Sequence, residues 1–151
     1  MVEVATQARI SYQDEIWIGR GIEGSPDWTQ VLGIETVGMP EKTPEEVDAT
    51  HQQSPGRTRE TIPGLLTSAD MTQEMQHWPE DPSQILLDDL AALTEAGTKE
   101  DVYVEFVVGG LRRTYRGYVN TFIPSGTVGD KRMATLGLKL FERLPTNPRP
   151  A

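Results

Sequence analysis

Apolar and polar positions alternate along this chain with two different periods, and only one stretch has the longer one. In residues 71–97, MTQEMQHWPEDPSQILLDDLAALTEAG, Leu86, Leu87, Leu90 and Leu93 recur at steps of three and four, which is one apolar stripe on a helix. Asp88, Asp89 and Glu95 fall largely on the opposite, wet side. The start is marked as well. Asp81 can accept from orphan main-chain N–H groups, Pro82 pre-sets φ at the first helical position, and Gln84 stands three residues after the cap. Gly97 supplies a left-handed exit. The pattern predicts half a strand, a hard turn, and one amphipathic helix.

Every other clear period is two. Residues 15–19 and 27–37 read as strands closed by glycines and Pro40, and 66–78, 101–108, 112–123 and 132–142 read as four more. Three of these have an apolar face: Val102, Val104, Phe106 and Val108; then Tyr115, Val119 and Ile123, with Arg112, Thr114 and Arg116 opposite; then Leu136, Leu138 and Leu140. Along residues 68–77, Ala69, Met71, Gln73, Met75 and His77 form the more apolar side, and Ser68, Asp70, Thr72, Glu74 and Gln76 the polar side. A lone helix among strands needs a sheet on which to bury its stripe. The expected core therefore joins Leu86, Leu90 and Leu93 to Val104, Phe106 and Leu138. The expected fold is mainly β (α+β): one domain over 1–151, an antiparallel β-sandwich or partly open barrel with one packed α-helix.

Between 40 and 60 the pattern lapses. PEKTPEEVDATHQQSPGRTRE has Val47 and Ala49 almost alone as apolar side chains. A gap of that length is uncommon inside a compact domain, and predicts a long loop that is either a solvated surface segment or an arm ordered by a partner. Residues 1–14 and 145–151, the latter with three prolines, are expected to be flexible arms.

Composition narrows the possible chemistry. Fourteen Lys and Arg against 23 Asp and Glu leave a net charge of −9, the wrong sign for a surface that grips nucleic acid. With no cysteine there are no disulfides or thiolate metal sites. No apolar run approaches the length of a membrane span, and the N-terminus lacks a signal-peptide pattern, so a cytoplasmic protein is expected. The two histidines, His51 and His77, lack convergent partners: on a strand, Glu74 and His77 point to opposite faces. The serines show no nucleophile elbow, and Gly109-Gly110 marks a hairpin because no helix follows it. Trp17, Trp28 and Trp78 lie in or at the end of strand patterns and are expected in the core. No catalytic cluster, cofactor site or metal site is read, and the chain is not expected to be an enzyme.

One resemblance says more than composition does. Val31-Leu32-Gly33-Ile34-Glu35-Thr36-Val37-Gly38-Met39-Pro40, then Val47-Asp48-Ala49-Thr50, then Arg57-Thr58-Arg59-Glu60-Thr61-Ile62-Pro63-Gly64-Leu65 resembles the tail tube (major tail) proteins of long-tailed bacteriophages and related gene transfer particles. An opening Ile16-Trp17-Ile18-Gly19 and a late Tyr115-Arg116-Gly117-Tyr118-Val119 stand where that family has similar strands. The likeness runs from about 15 to 144 and rests on the order and spacing of individually weak pieces. It departs after the re-entry motif, where Leu66-Thr67-Ser68-Ala69 replaces the aspartate and glycine often found there.

The resemblance implies a structural virion protein that forms stacked hexameric rings, a hollow tube through which double-stranded DNA passes without specific binding. It implies self-association, tape-measure and tail-end proteins as partners, and a place in the virion tail after assembly in the host cytoplasm. On that reading Asp70, Thr72, Glu74 and Gln76 line the lumen. The loop residues Glu41, Glu45, Glu46, Asp48, Arg57 and Arg59 meet the next ring. The competing expectation is a monomeric ligand-binding β domain of carbohydrate-binding type.

Overall fold

The computed structural model describes residues 13–150, with the side chain of Arg57 outside the description. Nearly all of the expected N-terminal arm therefore lies outside the described residues. Eight strands and one α-helix follow one another: β1 (Glu15–Arg20), β2 (Asp27–Gln30), β3 (Pro44–Asp48), β4 (Thr61–Leu66), β5 (Ala69–Gln76), α1 (Pro82–Glu95), β6 (Val102–Val108), β7 (Leu111–Ser125) and β8 (Met133–Arg143). Six strands form one antiparallel sheet in the order β2-β1-β6-β7-β8-β5, while β3 and β4 pair only with each other.

The alternation places the core where the sequence predicts it. Ile16 and Ile18 of β1 stand opposite Phe106 and Val104, Val104 opposite Tyr115, Val119 opposite Leu138, and Leu138 opposite Met71, all on one face. On that face Val104, Phe106 and Leu138 are buried, and α1 adds buried Leu87 and Leu90, with Leu86 and Leu93 packed against them. The helix lies on β7, where Thr94 Oγ1 donates to the Val119 carbonyl at 2.6 Å.

The sheet is rolled without closing. After β2 the chain donates from Val31 N to Ile16 O at 2.8 Å, then meets the far edge through a single bridge between Ile34 and Met75. The expected strand over 27–37 thus survives only as β2 and one bridge. Its break is Gly33, at φ +89°, where a Cβ would stand 2.9 Å from both Gln76 O and Gln84 Nε2. Only glycine takes that backbone turn without strain.

Three further details depart from the sequence reading. The apolar alternation of β7 fails after Val119, because a bulge between Val119 and Thr121 sets two residues against one on β8. From there the phase inverts, so Phe122 is buried and Ile123 is exposed. The capping box does not form: the Asp81 side chain makes no bond to the helix N–H groups and accepts from Ser83 Oγ instead. Gln84 is drawn into tertiary contacts. Finally, none of the three tryptophans is in the buried core, since Trp17 and Trp28 share the register of the opposite face. The ring of Trp28 lies over Gly19 and stacks on Tyr103 at 6.2 Å, and Trp78 is exposed.

Candidate functional site

Surfaces, rather than a catalytic pocket, stand out. Among the described residues no group of three or more His, Asp or Glu is placed to hold a metal ion, and no helix is long and apolar enough to cross a membrane. His77 is half-buried beside Phe122, at 6.0 Å between ring centres. His51 is exposed, accepting from Gln53 N at 3.1 Å and lying 3.5 Å from Glu60.

The first surface is the hairpin β3–β4. It contains the polar gap, whose sparse apolar residues become one strand paired with the next: Val47 faces Ile62, and Asp48 faces Thr61. Its connecting loop is tied by its own hydrogen bonds, from Thr50 N to Asp48 Oδ1 (2.9 Å), Glu60 N to Thr50 Oγ1 (2.9 Å) and Ser54 Oγ to Glu60 Oε2 (3.0 Å). Glu41, Glu45, Glu46, Asp48 and Arg59 are all exposed, and Arg59 reaches Asp48 at 3.6 Å. The sequence reading missed the apolar part. Val47, Ile62, Leu65 and Leu66 remain 44%, 52%, 81% and 57% exposed among the described residues. Val47 and Ile62 are register partners, so at least these two exposed apolar side chains lie together. The signal was present in the run Ile62-Pro63-Gly64-Leu65-Leu66, whose first four residues end the re-entry motif of the resemblance.

The second surface is the sheet's other face. On β5, Asp70, Thr72 and Glu74 point away from the core and are exposed, and Gln76 is partly so. Their inward neighbours Gln73 and Met75 are buried, the Gln73 amide donating to the Thr36 carbonyl. Asp70 does not stand alone: Lys139, its register partner on β8, approaches to 3.0 Å, and that hydrogen bond holds the Lys139 ammonium above its ordinary pKa. Further along the face, Arg116 pairs with Glu142 at 3.1 Å and with Asp101 at 3.4 Å, while Lys99 lies 4.9 Å over the Tyr118 ring. Charge here is largely paired within the subunit. Among the described residues Glu74 has no ion-pair partner.

The third surface was not anticipated. The tail after β8 lies across the part of this face made by β1, β6 and β7. Arg149 reaches Glu105, and Asn147 accepts from Thr114. Both partners are fully buried, although each sits on the polar side of its strand.

With the geometry in view, solved structures supply the comparison. Neither a protein-family model nor a curated protein sequence matches the chain. A chain in the six-fold symmetrised baseplate of the anti-feeding prophage matches 93% of this chain and 96% of its own length, at 9% identity and a TM-score of 0.64. A chain in the tail of an empty GTA particle, solved with C6 symmetry, matches 87% of this chain and 96% of its own, at 16% identity and 0.62. A chain of the SPP1 tail tube matches 87% of this chain and 74% of its own, at 13% identity and 0.63. These neighbours come from a prophage baseplate, a gene transfer agent tail and a phage tail tube. The chain has the tail-tube fold: a rolled six-stranded antiparallel sheet, a separate hairpin and one helix.

Proposed function

We propose that this chain is a structural tube subunit, six copies of which close into a ring and whose rings stack into a hollow tube that passes double-stranded DNA. The observation that carries the reading is the match, over most of both chains, to subunits from particles of six-fold symmetry. The surfaces support it. The edge strand β2, and β5 before its bridge at Met75, lie at the margins of the sheet, where main-chain groups can pair with another chain. The hairpin offers an uncovered apolar arm to the next ring, with Glu41, Glu45, Glu46, Asp48, Arg57 and Arg59 around it. Tape-measure and tail-end proteins are the further partners, and the tail of a particle is the place of action.

In this reading Asp70, Thr72, Glu74 and Gln76 line the bore. Duplex DNA carries one negative charge per roughly 1.7 Å of axis, so a basic lining would hold it by releasing counterions. Here Lys139 is occupied by Asp70, and Glu74 leaves a small negative excess that repeats around the ring. Such a lining lets the duplex slide. The test is negative-stain microscopy of the purified protein across a concentration series. Rings or tubes of uniform bore are expected; a strict monomer at every concentration refutes the proposal.

A further inference from the structure

The proposed tube does not account for Glu105. Its carboxylate is completely buried on β6, and it is held by two guanidinium groups. Oε1 accepts from Arg112 Nε at 3.1 Å and from Arg149 Nε at 3.0 Å, and Arg149 Nη2 stands 2.8 Å from the same oxygen; Oε2 accepts from Arg112 Nη2 at 2.9 Å. Arg112 belongs to the adjoining strand, as a built-in partner should. Arg149 arrives from the tail, 44 residues away in sequence.

The tail is bound the way a peptide ligand is bound. The Arg149 guanidinium lies 4.2 Å over the Trp17 ring, its carbonyl accepts from Arg112 Nη2 at 2.7 Å, and buried Thr114 donates to Asn147 Oδ1 at 2.9 Å. The Arg149 side chain is 16% exposed, whereas Pro145, Thr146, Asn147, Pro148 and Pro150 are all exposed. Attachment is thus made mainly by Arg149, with one further hydrogen bond to Asn147. Pro145, Pro148 and Pro150 have no N–H to add to a ladder, so the segment cannot zip onto the sheet as a further strand.

We propose that Trp17, Glu105, Arg112 and Thr114 form a receptor for a proline-flanked arginine, and that its occupant is exchangeable, so a second copy of this chain can supply Pro148-Arg149-Pro150 in place of the subunit's own. The contacts in trans are the same as those in cis, which makes exchange of an identical element a low-cost link between copies. Arginine rather than lysine is specified: the planar fork fits a carboxylate, and its flat face fits an indole. The receptor does not depend on the tube reading.

The test uses a labelled synthetic peptide of residues 145–151 and fluorescence anisotropy. The full-length Arg149→Ala protein, whose own tail cannot fill the site, binds it saturably. The parent binds it at least about tenfold more weakly, because its tail competes at a roughly millimolar effective concentration. A peptide with lysine in place of the arginine loses about tenfold or more. Glu105→Gln removes binding as well, but the lysine comparison uses an intact pocket and stands even where that variant does not fold. No binding to Arg149→Ala, equal binding of the two peptides, or a parent that takes up no peptide at millimolar concentration overturns the proposal. Micrographs without tubes bear on assembly alone and leave these outcomes unchanged.

Discussion

The side-chain oxygen of Gln84 accepts the main-chain N–H of Trp78 at 2.7 Å. Its amide nitrogen donates to Gln76 O at 2.7 Å and to Leu32 O at 3.2 Å. One buried amide therefore serves three main-chain groups where β5 ends, where α1 begins and where the chain leaves β2. Gln84→Leu, of similar size, abandons all three. The expected loss is about 1–3 kcal/mol by urea melting, the range for buried polar groups left without partners. A melt matching the parent's would show that water replaces the amide without cost.

Gly33 sits beside that junction and separates two kinds of glycine effect. Gly21, at φ +82°, faces open space, so Gly21→Ala carries only left-handed backbone strain of about 1–2 kcal/mol. Gly33, at φ +89°, has Gln76 O and Gln84 Nε2 each 2.9 Å from where a Cβ would stand. Gly33→Ala is expected to cost roughly a further 1–3 kcal/mol through overpacking. Equal costs for the two changes would place Gly33 away from the junction.

The inverted phase of β7 is tested by neighbours in sequence. Phe122→Ala should cost about 3–5 kcal/mol, as a buried aromatic truncated in the core. Ile123→Ala should fall within about 0.5 kcal/mol of the parent, as an exposed change does. The uninterrupted alternation of the sequence predicts the reverse order, so thermal melts of the two variants decide between them.

The hairpin arm yields a variant that separates folding from assembly. Leu65→Asp together with Leu66→Asp alters side chains that are 81% and 57% exposed and lie outside the buried core cluster. The double variant is expected to keep the parent's circular dichroism and melting temperature and to form no tubes in micrographs. Tubes of normal length would remove the arm from the contact between rings.

For the bore, the informative change is Asp70→Lys with Glu74→Lys. Both sites are exposed, so the fold should hold. At position 70 the new ammonium stands opposite Lys139 instead of pairing with it. Tubes are expected to form, and DNA delivery by particles carrying them should slow at low salt and recover as salt screens the added charge. Delivery at the parent's rate at every ionic strength would put this face elsewhere than the channel.

What could be read from the residues was whatever repeats locally. The leucine stripe of α1, Pro82 at its start, Gly97 at its end and the faces of β6 and β8 all follow from spacings of two, three or four, and the structure has them. The bulge in β7 could not be read that way. It depends on how β8 meets β7, and an inverted phase looks in sequence like two acceptable alternations. The polar gap concealed β3, because a two-stranded arm with no core beneath it needs no apolar face. Alternation alone puts Glu105 on the outward side of β6, and one of the two guanidinium groups that hold it comes from far along the chain. Of the candidate surfaces, the polar side of β5 was visible in its alternation, whereas Lys139 opposite Asp70 became apparent only with the register.

The arm also has a consequence for timing. β3 and β4 share no ladder with the six-stranded sheet, and a lone two-stranded hairpin is marginal in water. The ladder of the body therefore adds nothing to its stability. On the proposed tube reading, a subunit would finish folding with its arm still free to try positions, and a neighbour's contact would fix it. Growth of a tube would then proceed by rigid bodies capturing soft hooks, with the last arm at the open end always the least settled part of the structure.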